Sequence, residues 1–142
     1  MADLKQVYRD LVQFEIELWN AVDTRLQAAH GLPLTSFEVM RLLGQRSECR
    51  VQDVAEAFGI TVGGTSKVVD RLEASGYCRR RPNPNDRRSS LIELTPEGRR
   101  LTDAAEKDFA AELDLRIGSV LSGHELEAFG ATLRTLRAAR PR

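Results

Sequence analysis

Arginine is concentrated in one short part of the chain: Arg79-Arg80-Arg81 and Arg87-Arg88 bracket the turn Pro82-Asn83-Pro84-Asn85-Asp86. Clustered guanidinium groups suit one chemistry above others, multiple charge-assisted contacts to phosphate oxygens. Residues 62–90 hold seven cations (Lys67, Arg71, Arg79, Arg80, Arg81, Arg87, Arg88) against three anions (Asp70, Glu73, Asp86), a local charge of +4. The 142-residue chain balances 21 Lys and Arg with 21 Asp and Glu, so the remainder is −4 and the neutral total conceals a polarised molecule. An arginine run by itself also suits a solvated strand edge, where charge discourages edge-to-edge pairing. What decides between the two readings is the element that precedes it.

That element reads as the second helix of a helix-turn-helix. Val51, Val54, Ala55 and Phe58 place one apolar side on a short helix from Gln52 to Phe58. Gly59-Ile60-Thr61 makes a turn, and a second helix follows from Val62 to Ser75, closed by Gly76. In this second helix Val62, Val68, Val69 and Leu72 are expected to pack inward. The opposite face presents Thr61, Gly63, Gly64, Ser66, Lys67, Asp70 and Arg71. Gly63-Gly64 weakens a helix by roughly 1 kcal/mol per residue relative to Ala. One reading is that missing side chains let the backbone approach a nucleic acid closely; the other is that the pair only loosens the first turn.

Other chemistries fit less well. Two cysteines, Cys49 and Cys78, and two histidines stand too far apart in sequence for a metal knuckle. Arg50, Arg79 and Arg80 could lower the thiol pKa values, the condition for redox sensing, but neither cysteine has a neighbouring His and redox sensing is the weaker reading. No nucleophile, base and orienting group assemble into an enzyme's arrangement, and no cofactor is implied. Phe14, Trp19, Phe37 and Met40, with His30, are available to line an apolar pocket. Core packing is the plainer role for the first four, and an exposed helix-terminal position for His30.

The elements that position these groups follow from periodicity. Leu4, Val7, Leu11, Phe14, Leu18, Val22 and Leu26 line one face of a long first helix, stopped at His30-Gly31-Leu32-Pro33. Thr35 and Glu38 have capping-box spacing and predict a second helix starting after Thr35 or Ser36. Cys49-Arg50-Val51 is a very short strand or a linker. Residues 77–81 and 89–94 read as strands of a hairpin, placed where a winged helix carries its wing. Thr95, Pro96 and Glu97 start a helix to about Ile117, Gly118 to Gly123 breaks it, and Leu126, Phe129, Leu133 and Leu136 mark a last one. The fold class is mostly α with a small β-hairpin wing: a winged helix-turn-helix over 33–94, flanked by N- and C-terminal dimerisation helices in 1–32 and 95–142. The flanking helices are too long and amphipathic to bury their apolar faces on so small a module, which predicts a dimer. No apolar run approaches the ~18 residues of a membrane helix, and the N-terminus MADLKQVYRD lacks an apolar signal core. A cytoplasmic protein with no membrane partner is expected.

The wing and its exit strand, Asn83-Pro84-Asn85-Asp86-Arg87-Arg88 and then Leu91-Ile92-Glu93-Leu94-Thr95-Pro96-Glu97-Gly98, resemble the MarR family of bacterial transcriptional regulators, whose wing reads D-x-R before a strand ending in L-T-x-x-G. Ser66-Lys67-Val68-Val69-Asp70-Arg71-Leu72-Glu73 followed by Gly76 is similar to that family's recognition helix. The resemblance implies a homodimer on pseudo-palindromic operator DNA, with the second helix in the major groove and the wing in the flanking minor groove. Carried over by position, Thr61, Gly63, Gly64, Ser66, Lys67 and Arg71 face bases or phosphates, and Arg88 enters the minor groove. Arg87 contacts phosphate, and Asp86 holds the wing in shape. The resemblance further implies a repressor released by a small, often phenolic, effector bound between the dimerising helices and the winged module. Many members carry Ser, Thr or Ala where Gly63-Gly64 stand, so fewer direct base contacts are expected here. Some members sense oxidants through cysteine, the best-known one in the first helix, which has none in this chain. The alternatives are such a redox-sensing regulator, or a winged-helix module that binds protein.

Overall fold

The structure is a computed structural model and describes residues 1–139. Its elements are α1 (Leu4–His30), α2 (Leu34–Gln45), β1 (Cys49–Arg50), α3 (Val51–Phe58), α4 (Val62–Ala74), β2 (Cys78–Pro82), β3 (Ser90–Leu94), α5 (Pro96–Leu113), a π-helical turn (Asp114–Gly118) and α6 (Gly123–Ala138). The mostly helical winged helix-turn-helix expected from the sequence is what forms.

Helix α1 is capped by Asp3, whose carboxylate accepts the Lys5 N–H, and it ends at Gly31 in the left-handed region. Helix α2 departs from expectation. It starts at Leu34 with Pro33 as its cap residue, and Thr35 and Glu38 form no capping box. Leu34 is buried, which draws the chain inward two or three residues early, and the carboxylate of Asp23 on α1 accepts the orphaned Leu34 N–H at 2.9 Å. The cap is thus supplied from another helix.

Cys49-Arg50 is a strand. The antiparallel sheet runs β1-β3-β2, with Cys49 opposite Ile92 on one side of β3 and Cys78 opposite Leu94 on the other. Strand β3 carries buried apolar residues on both of its faces. Ile92 and Leu94 face the core, together with Cys49 and Cys78, while Leu91 is buried on the reverse face.

The run Leu94-Thr95-Pro96-Glu97-Gly98 is explained by packing. Thr95 caps α5, its Oγ1 accepting the Gly98 N–H and donating to the Gly76 carbonyl. A Cβ at residue 98 would overlap the Tyr77 carbonyl oxygen, so this position admits only glycine. Helix α6 begins at a capping box between Ser122 and Glu125.

The core lies between the C-terminal half of α1, α2, α4, the sheet and α5. It centres on Leu26, Phe37, Met40, Val54 and Val69, and Phe37 packs its ring 5.0 Å from that of Phe109. The N-terminal half of α1 and all of α6 stand outside it. Leu4, Val7, Tyr8, Leu11 and Ile16 are exposed, and α6 buries none of its residues. Among the described residues no helix is long and apolar enough to cross a membrane.

Candidate nucleic-acid interface

Helix α3 is fixed at its start by Arg50 and Asp53. The Arg50 backbone N–H and guanidinium both donate to the Asp53 carboxylate, at 2.9–3.2 Å. Those bonds hold the Asp53 carboxyl below the usual aspartate range. Gly59, in the left-handed region, turns the chain from α3 toward α4.

Thr61 caps α4, its Oγ1 accepting the Gly64 N–H at 3.0 Å. Gly64 has an internal reason to be glycine, since a Cβ there would crowd the capping hydroxyl at 3.1 Å. Gly63 has none: a Cβ there would meet open space. Thr65, Val68, Val69 and Leu72 are the buried stripe of α4. Thr61, Val62, Gly63, Gly64, Lys67, Asp70 and Arg71 form its exposed arc, with Ser66 half-buried at the margin. Val62 was expected to pack inward, yet it is 52% exposed. It occupies the first helical position, where the buried stripe has not begun.

Strand period divides the arginine run into two jobs. Arg79 and Arg81 lie opposite Glu93 and Leu91 on the reverse face of the sheet, and both donate to the Glu93 carboxylate, at 2.8 and 3.2 Å. The Arg79 guanidinium first, with Arg81 assisting, keeps the Glu93 carboxyl below the usual range. Arg80 sits between them on the helix-facing side. It donates to Glu73 at 2.8 Å and Asp70 at 2.7 Å, and its N–H reaches Glu73 as well, at 3.0 Å. Arg80 therefore ties the wing to α4, and the run is largely engaged within the chain.

The tip of the wing is built on two side chains. Asn83 is buried; its Oδ1 accepts the Asn85 N–H and its Nδ2 donates to Ser89. The Asp86 carboxylate accepts the Arg88 N–H at 2.9 Å. These bonds leave the exposed side chains of Arg87 and Arg88 projecting from an ordered turn, and among the described residues neither makes an ion pair. Asn83 escaped the sequence reading, although an Asn-Pro-Asn turn signals an Asx bond.

The remaining candidates separate. Phe37 and Met40 are wholly buried in the core. Trp19 lies on the outer side of α1 beside Glu15, Ile16 and Asn20, and Phe14 is half-buried on the same helix. His30 is not the exposed helix end expected. Its Nε2 lies 2.7 Å from the Asp108 carboxylate on α5, which Arg25 also holds at 3.1 Å. Cys49 and Cys78 are buried free thiols. Burial pushes Cys78 up to about 11 and also raises Cys49, outweighing the neighbouring arginines that could lower them. Neither has the exposed thiolate character of a redox sensor. Among the described residues no cluster of His, Cys, Asp and Glu could hold a metal ion.

The model for the MarR family matches residues 32–90, from the end of α1 through the wing. The chain is 36% identical over 98 residues to the HTH-type transcriptional regulator MhqR of Bacillus subtilis, covering 69% of this chain and 67% of that regulator. It is 25% identical over 84 residues to the multiple antibiotic resistance protein MarR of Salmonella typhimurium, covering 59% and 58% respectively. Among solved structures, Sco3205, a MarR family transcriptional regulator from Streptomyces coelicolor in complex with DNA, has a TM-score of 0.91 at 23% identity, covering 99% of this chain and 94% of that one. The S. aureus MepR–DNA complex has a TM-score of 0.82 at 20% identity, covering 99% and 100%. Identities this low establish the shared fold, and the relationship to MhqR establishes the kinship. The chain belongs to the MarR family of winged-helix transcriptional regulators, which are DNA-binding proteins rather than enzymes.

Proposed function

We propose that the chain is a homodimeric repressor that holds pseudo-palindromic operator DNA and releases it on binding a small aromatic acid. The observation that carries the DNA-binding half is the pairing of cations along the interface. Arg79, Arg80 and Arg81 are engaged by Glu93, Glu73 and Asp70, whereas Lys67, Arg71, Arg87 and Arg88 stand exposed on α4 and the wing tip. The winged module, residues 33–94, docks as one piece because Arg80 ties the wing to α4. Helix α4 enters the major groove with Thr61, Gly63, Gly64, Ser66, Lys67 and Arg71. Arg88 reaches the minor groove, Arg87 contacts phosphate, and Asp86 keeps the tip ordered.

The dimer rests on the helical arms, residues 1–32 and 95–142, of which 140–142 lie outside the described residues. Their exposed Leu4, Tyr8, Leu11, Leu126, Phe129 and Leu136 have no cover within the chain, and a second copy supplies it. For the effector, a cleft of about 180 Å³ between α2 and α5, lined by Arg41, Gln45, Leu94, Arg99, Thr102, Asp103 and Glu106, has the size for a phenolic acid; Arg41 is paired with Glu106 at 3.1 Å, so Arg99 is the cation that meets the ligand's carboxylate. The cleft joins an arm helix to the winged module, so a ligand there can alter their relative placement. Phe37 and Met40 contribute to the core behind this region and Trp19 and Phe14 to the arm.

Gel-shift titration on DNA from the gene's own upstream region tests the reading. Four cations per protomer give a log–log salt slope of about −4 for one protomer and about −7 for a dimer. A flat salt dependence, or no binding, overturns it. Sedimentation reports the dimer. A thermal-shift screen of phenolic acids, followed by gel shift with each stabilising compound, reports the effector.

A further inference from the structure

The N-terminal turn of α4 is short of hydrogen-bonding side chains. The Thr61 hydroxyl is engaged as the cap, accepting the Gly64 N–H. Gly63 and Gly64 offer no side chain, and a Cβ at Gly63 would meet nothing within 4 Å. Ser66 is the next side chain along the same stripe as Val62, one turn further on. What the first turn does present is the isopropyl group of Val62, half in solvent at the position where a recognition helix meets base edges. A β-branched residue has low helix propensity, and this one is not packed into the core, so neither helix stability nor core packing accounts for it. In the major groove, the base-edge group an isopropyl can recognise is the thymine methyl. The absent side chain at Gly63 lets the backbone come close enough for that contact.

We propose that Val62 reads a thymine 5-methyl group in each operator half-site, making it an apolar specificity determinant in a helix turn that carries few polar readers. This rests on α4 being the DNA-reading helix, and the experiment separates the two ideas. Duplexes bound by the full-length protein are selected from a random pool, and the thymines of the consensus are replaced singly by deoxyuridine, which removes only the methyl. Gel-shift affinities are then measured for the wild type, Val62→Ala and Gly63→Ala.

For the wild type, deoxyuridine at one thymine per half-site is expected to weaken binding about three- to four-fold, the factor that burying one methyl-sized group supplies. In Val62→Ala that penalty disappears, while penalties at other positions remain. Gly63→Ala, a change that favours the helix, weakens binding to all duplexes by holding the backbone away. If Val62→Ala weakens every duplex equally and keeps the wild-type deoxyuridine penalty, or if no thymine is methyl-sensitive, the assignment is overturned with DNA binding left intact. Failure to select any duplex overturns the DNA-reading assignment itself. Val62 is exposed at the first helical position, and alanine is the better helix former there, so circular dichroism should show an unchanged fold.

Discussion

The winged module and the helical arms use their side chains in opposite ways. In the module, the large apolar groups other than Phe58, Ile60 and Val62 are covered, and several carboxylates are matched by arginines. Phe37, Met40, Val54 and Val69 lie in one core, and the Asp70, Glu73 and Glu93 carboxylates each engage an arginine. In the arms, the N-terminal half of α1 and all of α6 leave a stripe of large apolar residues in solvent. One region is complete as a single chain and the other is not. The difference is what the proposed dimer rests on, a second copy covering the arms and leaving the wing tip open to DNA.

The largest effect expected is on the module. Phe37→Ala removes a fully buried ring packed at a tilt against Phe109 and should destabilise the chain by about 3–5 kcal/mol in urea unfolding. Leu11→Asp on the arm should act differently. It leaves a single chain's own packing unchanged but puts charge into the proposed dimer seam, so sedimentation should show monomers and operator affinity should fall at least a hundredfold through lost bivalency. If Leu11→Asp instead unfolds the chain as Phe37→Ala does, the arm is part of the core and the contrast fails.

A third test lies within the arginine run. Arg80→Ala cuts both ties between the wing and α4 and should cost about 1 kcal/mol, two partly exposed pairs of modest strength. Operator affinity should fall with it as the wing loosens. Arg79→Ala, whose side chain is largely exposed on the reverse face, should change stability by less than about 0.5 kcal/mol and leave DNA affinity nearly unchanged. Equal effects of the two variants would break the division of labour along the strand.

The smallest effect concerns the joint between the two arm helices α1 and α5. His30 first and then Arg25 hold the Asp108 carboxyl below its ordinary value. A carboxylate whose folded pKa is depressed contributes stability that is fully present above its unfolded pKa, near 3.9, and lost as pH falls through the lower folded value. Unfolding midpoints should therefore decline below about pH 4, and Asp108→Asn should flatten that decline while lowering stability at neutral pH. An unchanged acid limb in the variant would place the sensitivity elsewhere, with Asp53 the next group to examine.

Much of this was legible in the sequence because it is local. Apolar spacing marked the helices, Thr95 and Ser66-Lys67 sat in recognisable runs, and Asp86 lies two residues from the Arg88 N–H that its carboxylate accepts. What was misread depended on partners far along the chain. The start of α2 was placed late because its cap comes from Asp23 on another helix. His30 was left exposed because its partner lies on α5. What raises the cysteine pKa values is also absent from the sequence, where neighbouring charges are visible and burial is not.

The sequence by itself determined the order of elements, the winged helix-turn-helix and the family, since each rests on spacing within a dozen or so residues. It also located the excess of positive charge. Only the tertiary structure decided which of those cations are free. A hydrogen bond between Arg79 and Glu93 requires two strands in one register, and a bond from Arg80 to Asp70 and Glu73 requires that strand to lie against α4. Ion pairing is short-ranged in space and indifferent to distance along the chain. A count of arginines could therefore give the charge of the wing but not the side chains available to bind DNA.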